Sequence, residues 1–199
     1  MAPEKKRASR HLVVGEHLLH RHLWEGARFL NSLAAEDMPG RYFPRLAASL
    51  FLYFAFEAFL NYLGNIVAPQ EWADERTFFN RGPAEYRGTL GKLNYLMDQL
   101  HVARNKRTRP YRTIVDLDRG RDALTHPRAE MIKRKLRPAA PIPEAQIYRL
   151  ANGKFFTEAC EDIEALASEL LKRGHPQGIG GSKHPFRGTL TWAVSWTGQ

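Results

Sequence analysis

A chain of 199 residues, 43% hydrophobic and 26% charged, has the balance of an ordinary globular protein and the length of one domain with a genuine core. Its 30 Lys and Arg against 21 Asp and Glu leave a net charge of +9, with Arg far ahead of Lys, which points to a polyanionic partner such as nucleic acid. The lone cysteine, Cys160, excludes an internal disulfide and falls on the apolar side of a predicted helix, as a small buried hydrophobe would.

Residues 1–10 are charged and predicted to be a flexible N-terminus with no visible secretory leader, so the expected compartment is the cytoplasm. From His11 to Glu36 the apolar positions Leu12, Leu19, Leu23, Ala27, Leu30 and Ala34 trace one helical stripe, which Met38-Pro39-Gly40 breaks. Pro44 to Val67 predicts a second helix, apolar nearly all round and therefore the most buried. Its stretch from Leu46 to Leu63 is nearly long enough to span a bilayer, but Glu57 and Asn61 interrupt it. A central carboxylate is expensive in lipid, so a core helix without membrane contact is expected. Gln70 to Pro83 reads as irregular or as a short helical turn. A third helix is predicted from Ala84 to Ala103, weakened early by Gly88 and Gly91. After the basic connector Arg104 to Arg109, a fourth helix runs from Tyr111 to His126, with Pro110 at its start and Pro127 ending it.

Between Arg128 and Ala151 the chain carries Pro138, Pro141 and Pro143, the mark of a long surface connection. Asn152-Gly153, between Ile147–Leu150 and Phe155-Phe156, predicts a small hairpin. The last helix, Lys154 to Arg173, holds Phe156, Ala159, Ile163, Leu166 and Leu170 in register and closes on Lys172-Arg173-Gly174. Residues 174–199 are glycine-rich and predicted to be a short irregular C-terminal tail, with Thr189 to Val194 readable as a short strand. The pattern predicts an all-α fold, an antiparallel bundle of four to five helices occupying residues 11–173.

On the fourth helix Ile114, Leu117 and Leu124 share one face at about 100° per residue, and Arg121 falls in the middle of it. A guanidinium in an apolar stripe must be paired or must face a solvent-filled groove. Asp118, Asp122 and His126 form a second row at fourfold spacing, so Asp122 stands one turn below His126, where it could orient the imidazole. Plainer roles are open to the same residues: a salt bridge from Arg121 to Asp118, and a His126 that caps the last turn at the negative end of the helix dipole.

The run Arg121-Asp122-Ala123-Leu124-Thr125-His126 resembles the signature of the HEPN superfamily: an Arg, commonly a polar residue, three more residues and a His, closing a late helix of a helical bundle. Ala55 to Asn61, with Glu57 in an apolar helix, resembles the Glu-bearing helix of many members. The likeness spans about residues 10 to 173, though only the short Arg-to-His stretch is specific. It implies a metal-independent endoribonuclease with no cofactor, acting as a homodimer that joins two copies of the motif. Toxin–antitoxin or phage-defence roles follow from the same resemblance, with a cognate antitoxin or regulatory protein as a further partner. In that scheme Arg121, Asp122 and His126 are the catalytic residues. His126 and its twofold mate serve as base and acid for attack by an RNA 2′-hydroxyl on the adjacent phosphorus, Arg121 steadies the charge on the phosphoryl oxygens, and Asp122 holds the imidazole tautomer. Within one helix Arg121 and His126 lie about 140° apart, a separation that a second copy would ease. The alternative is a non-catalytic HEPN-like module for RNA binding or dimerisation.

Lys106, Arg107, Arg109 and Arg112 before the motif, and Arg128, Lys133, Arg134 and Lys135 after it, are candidate RNA-phosphate contacts, although basic runs are usually solvated faces. His11, His17, His20 and His22 crowd the first predicted helix. His17 and His20 share a face, but no acidic or cysteine partner follows at ligand spacing, and no metal site is expected. Gly178 to Lys183 lacks both the spacing and the preceding strand of a phosphate loop.

Overall fold

The computed structural model describes residues 13–14, 18–34, 40–126, 146–179, 182–187 and 195–196. Among them are eight helices: α1 (Leu19–Leu33), α2 (Tyr42–Val67), α3 (Pro69–Ala73), α4 (Glu75–Arg81), α5 (Gly88–Gln99), α6 (Tyr111–Thr125), α7 (Gln146–Leu150) and α8 (Gly153–Gly174). The class is all-α as predicted, and six of these helices have seven residues or more. One two-residue antiparallel pair joins β1 (Val13–Val14) to β2 (Ser195–Trp196).

α2 is the hub, as its all-round apolar pattern predicts: it touches α1, α3, α5, α6, α7 and α8. It buries Leu52, Ala55, Phe56, Phe59, Leu60 and Leu63, against Ile114 and Leu117 of α6 and Ile163, Leu166 and Leu170 of α8. Each such side chain contributes about 1.5–3 kcal/mol by leaving water. Among the described residues, α2 is the one helix long and apolar enough to cross a membrane, and 50% of its most apolar stretch is buried inside the protein. Its two interrupting polar residues are matched. Glu57 Oε1 accepts from Thr89 at 2.8 Å, and Asn61 Oδ1 accepts from Lys92 at 2.9 Å. Lys92 also pairs with Glu75, which ties α5 to α4 and α2. At Gly64 a Cβ would stand 2.0 Å from the Trp72 ring, so only glycine lets α3 fold back this closely on α2.

Several boundaries differ from the prediction. The first helix starts at Leu19 rather than at His11; Val13–Val14 are strand, and His11 and His17 lie outside the described residues. Gln70 to Pro83 is more ordered than expected, holding α4 and most of α3, with Pro69 at α3's first position. The third helix is divided: a 3-10 turn at Ala84–Tyr86, then α5 from Gly88. There is no hairpin at Asn152-Gly153. Ile147 to Leu150 belong to α7, and Asn152 is the N-cap of α8, its side chain accepting from the Lys154 and Phe155 amides. Asn suits both a hairpin turn and a helix cap, and here the helix wins because Phe155, Phe156 and Ala159 reach the core together.

Apart from β2, the described part of residues 174–199 is irregular, but it is no detached tail. Ile179 and Phe186 are fully buried, and Phe186 stacks on Trp24 with ring centroids 4.3 Å apart. His20 Nε2 donates to the Pro185 carbonyl at 3.1 Å and Arg21 Nη2 to the Ile179 carbonyl at 2.8 Å. His184 Nδ1 accepts from the Phe186 and Arg187 amides, which leaves Nε2 to donate to Glu164 of α8. Two large apolar side chains and these polar ties fasten the segment across α1 and α8, where glycine-rich sequence carries no periodicity to announce it.

Candidate functional site at the end of helix α6

α6 presents two apolar residues, Ile114 and Leu117, wholly inward, and closes on its polar end. Gly120 permits that approach: a Cβ there would stand 2.2 Å from the Leu150 side chain, so α7 can press against α6 one residue before Arg121. The helix ends at Thr125, and His126 leaves it at φ −125°, ψ 62°. A residue followed by proline is pushed out of the helical region, and residue 127 is proline.

Arg121 extends over the Tyr53 ring of α2, its Cζ 5.2 Å from the ring centroid. Its Nη2 donates to the Tyr53 hydroxyl at 3.0 Å, and that hydroxyl donates to Asp118 Oδ1 at 2.7 Å. Asp118 Oδ1 also lies 3.4 Å from Arg121 Nη2, and Asp122 Oδ1 lies 2.9 Å from Nη1. The guanidinium therefore sits on an aromatic face between two carboxylates, with 26% of its side chain still exposed. Burial works against its charge, but the Tyr53 hydroxyl and the carboxylates of Asp122 and Asp118 outweigh that and raise its pKa. Burial also raises the Tyr53 phenol and the Asp118 carboxyl above their ordinary ranges.

His126 is exposed, and its imidazole makes no hydrogen bond, ion pair or ring contact with the described residues. Its backbone amide donates to the Asp122 carbonyl at 2.9 Å. The Asp122 carboxylate is on Arg121, not on the imidazole, which corrects the expectation that it orients His126. The fourfold row fails at its last member because His126 is no longer helical.

The chain matches no protein-family model, no curated protein and no solved structure. What this end of α6 can do is then a question of its chemistry. The guanidinium meets three oxygens through Nη1 and Nη2 while its Nε is buried without a partner, and the 26% of the side chain left exposed is where a phosphate could approach it. The His126 imidazole, five residues further along the chain, is exposed and without a hydrogen-bond partner among the described residues.

The basic residues proposed as RNA contacts divide. Lys106 and Arg107 are exposed on the loop before α6, at the opposite end of that helix, about 15 Å along its axis from Arg121. Arg109 is turned onto α8, donating to Asp162 at 2.7 Å and lying 3.4 Å from Glu161. Arg112 pairs with Asp116 at 3.3 Å. Arg128, Lys133, Arg134 and Lys135 lie outside the described residues. No group of three or more His, Cys, Asp and Glu side chains among the described residues could hold a metal ion.

Sequence reasoning missed Tyr53. A signal was present: a tyrosine in a helix of Phe, Leu and Ala must find a partner for its hydroxyl, and an arginine in an apolar stripe must find an acceptor. The two unsatisfied groups answer each other across 68 residues of chain.

Proposed function

We propose that the protein is a metal-independent endoribonuclease of the HEPN type, built as an antiparallel helical bundle and acting as a homodimer on RNA. The observation that carries this reading is a pairing at one helix end: an exposed His126, with no partner among the described residues, five residues beyond an Arg121 that is held on Tyr53, Asp118 and Asp122 with 26% of its side chain exposed.

The chemistry needs no external reagent. One His126 takes the proton from an RNA 2′-hydroxyl, whose oxygen attacks the adjacent phosphorus. The bond from phosphorus to the 5′-oxygen breaks, and that oxygen receives a proton from the His126 of the second copy. The products are a 2′,3′-cyclic phosphate and a free 5′-hydroxyl. Arg121 binds the phosphoryl oxygens as their charge grows, and Tyr53 and the two aspartates fix its aim before substrate arrives. The role of Asp122 is thus to orient the arginine. The test is a structured RNA carrying one 2′-deoxy substitution at a mapped cut site, incubated in EDTA. Cleavage at that position stops and other positions are still cut with cyclic phosphate ends; continued cleavage at the deoxy position would refute the mechanism.

A second reading, a non-catalytic helical module, draws on the same ion pairs taken as plain structure, together with exposed Phe29, Phe43, Phe51 and Phe54 on α1 and α2. It predicts no cleavage at any position.

A further inference from the structure

A cleft of about 500 Å³ opens between the start of α2, the end of α7 and the first turn of α8, lined by Tyr42, Arg45, Tyr148, Ala151, Asn152 and Gly153. Its volume falls in the range of small-ligand sites. The Arg45 guanidinium lies over Gly153: a Cβ on that glycine would meet Cζ at 3.4 Å and Nη2 at 3.5 Å. This places a cation at the start of a 22-residue helix, the end where backbone dipoles are already positive.

Nothing among the described residues compensates it. Arg45 makes no ion pair or side-chain hydrogen bond with them, and its Nε is buried without a partner. Asp116, which reaches α7 from α6, is already shared by Arg112 at 3.3 Å and Arg149 at 3.0 Å. The terminal nitrogens of Arg45, unlike the buried Nε, are accessible and have no acceptor among the described residues, so an anion in the cleft meets them and offsets the repulsion from the helix end. The other wall is aromatic. Tyr42 and Tyr148 touch at a centroid distance of 5.4 Å and an angle of 57°, so no ring fits between them, but Tyr148 is 53% exposed and offers a free face. Arginine and a stacking face side by side match a phosphate joined to a planar base.

We infer that this cleft binds a nucleotide, its phosphate on Arg45 at the head of α8 and its base against Tyr148. Arg45, Ser49 and Tyr53 follow one another at fourfold spacing on α2, which puts the cleft about 12 Å along that helix from the Arg121 site. If RNA is the substrate, the cleft is a second contact for the same strand; its nucleotide chemistry stands without that reading.

The experiment is calorimetric titration of the full chain with 5′-AMP and, separately, with inorganic phosphate, in EDTA. The expected result is saturable AMP binding, tighter than that of phosphate. Arg45→Gln weakens it at least tenfold, Tyr148→Ala reduces it toward phosphate, and Lys172→Gln at the far end of α8 leaves it unchanged. Because Arg45 has no side-chain partner among the described residues to lose, Arg45→Gln melts at or above the wild-type temperature, so lost binding is not lost folding. Absence of saturable AMP binding, or wild-type affinity in Arg45→Gln, overturns the proposal. A labelled oligoribonucleotide separates the sources: weaker binding in Arg45→Gln assigns the cleft to a residue of the strand, and unchanged binding assigns it to a free nucleotide. AMP binding without RNA cleavage keeps the cleft and removes the nuclease, and cleavage without AMP binding does the reverse.

Discussion

The protein holds two arginine–histidine neighbourhoods of opposite character. At the start of α1, His20 and Arg21 are each 1% exposed, and each donates one nitrogen to a carbonyl of the C-terminal segment. At the end of α6, Arg121 is anchored with 26% of its side chain exposed, and His126 is exposed with no partner among the described residues. The residue types are the same and the surroundings assign the work. Burial away from water, with Arg21 beside it, drives the His20 pKa from 6.5 to about 4, so this imidazole is a neutral structural donor at physiological pH. On the proposed reading it is the exposed imidazole of His126, not that of His20, that meets the RNA.

The largest effect that sharpens this contrast is on the buried side. Phe186→Ala removes the ring stacked on Trp24 and leaves a cavity under the C-terminal segment, for an expected loss of about 3–5 kcal/mol in denaturant unfolding. A loss below about 1 kcal/mol would mean that the segment is an appendage after all.

Acid should open the same region. The folded pKa of His20 lies below its unfolded value, so between pH 6.5 and about 4 the unfolded chain binds the proton that the folded chain refuses. The stabilising contribution is fully present above pH 6.5 and is lost as pH falls through that window, on the order of 3 kcal/mol in total. Thermal melts from pH 7.5 to 4.5 show the decline, and a His20→Gln variant shows a flatter profile. An identical slope in the two proteins would contradict the assignment.

The unevenness of what could be read from sequence has a physical source. Local signals held up: the proline after His126 ended α6 on time, and the period of α8 located Ile163, Leu166 and Leu170 inside. Signals with two meanings misled, as at Asn152-Gly153, where one dipeptide serves a turn or a cap. Contacts between distant parts of the chain were invisible. Arg109 read as a candidate phosphate ligand because its carboxylates come from α8, 49 to 53 residues away, and only Asp118 was in view as a partner for Arg121 because Tyr53 is on another helix. The Arg-to-His spacing was plain in the sequence; the ring on which the arginine rests was not.

Tyr53 gives the next and smaller effect. Tyr53→Phe keeps the ring under the guanidinium but deletes the hydroxyl shared by Arg121 and Asp118, at an expected cost of about 1–3 kcal/mol. It also frees Arg121, so RNA cleavage falls more than stability does. Unaltered cleavage at wild-type rates would mean that the anchoring has no part in function.

The smallest expected effect on stability belongs to His126, and there the account is most directly tested. His126→Ala should change unfolding by no more than about 0.5 kcal/mol, since the imidazole is exposed and makes no hydrogen bond, ion pair or ring contact with the described residues. Purified wild-type and His126→Ala proteins are then compared for cleavage of a labelled, structured RNA in EDTA. The account predicts cutting by the wild type and a loss of at least about a hundredfold in the equally stable variant. Equal cutting by both, or none by the wild type, would contradict it and leave the end of α6 as structure alone.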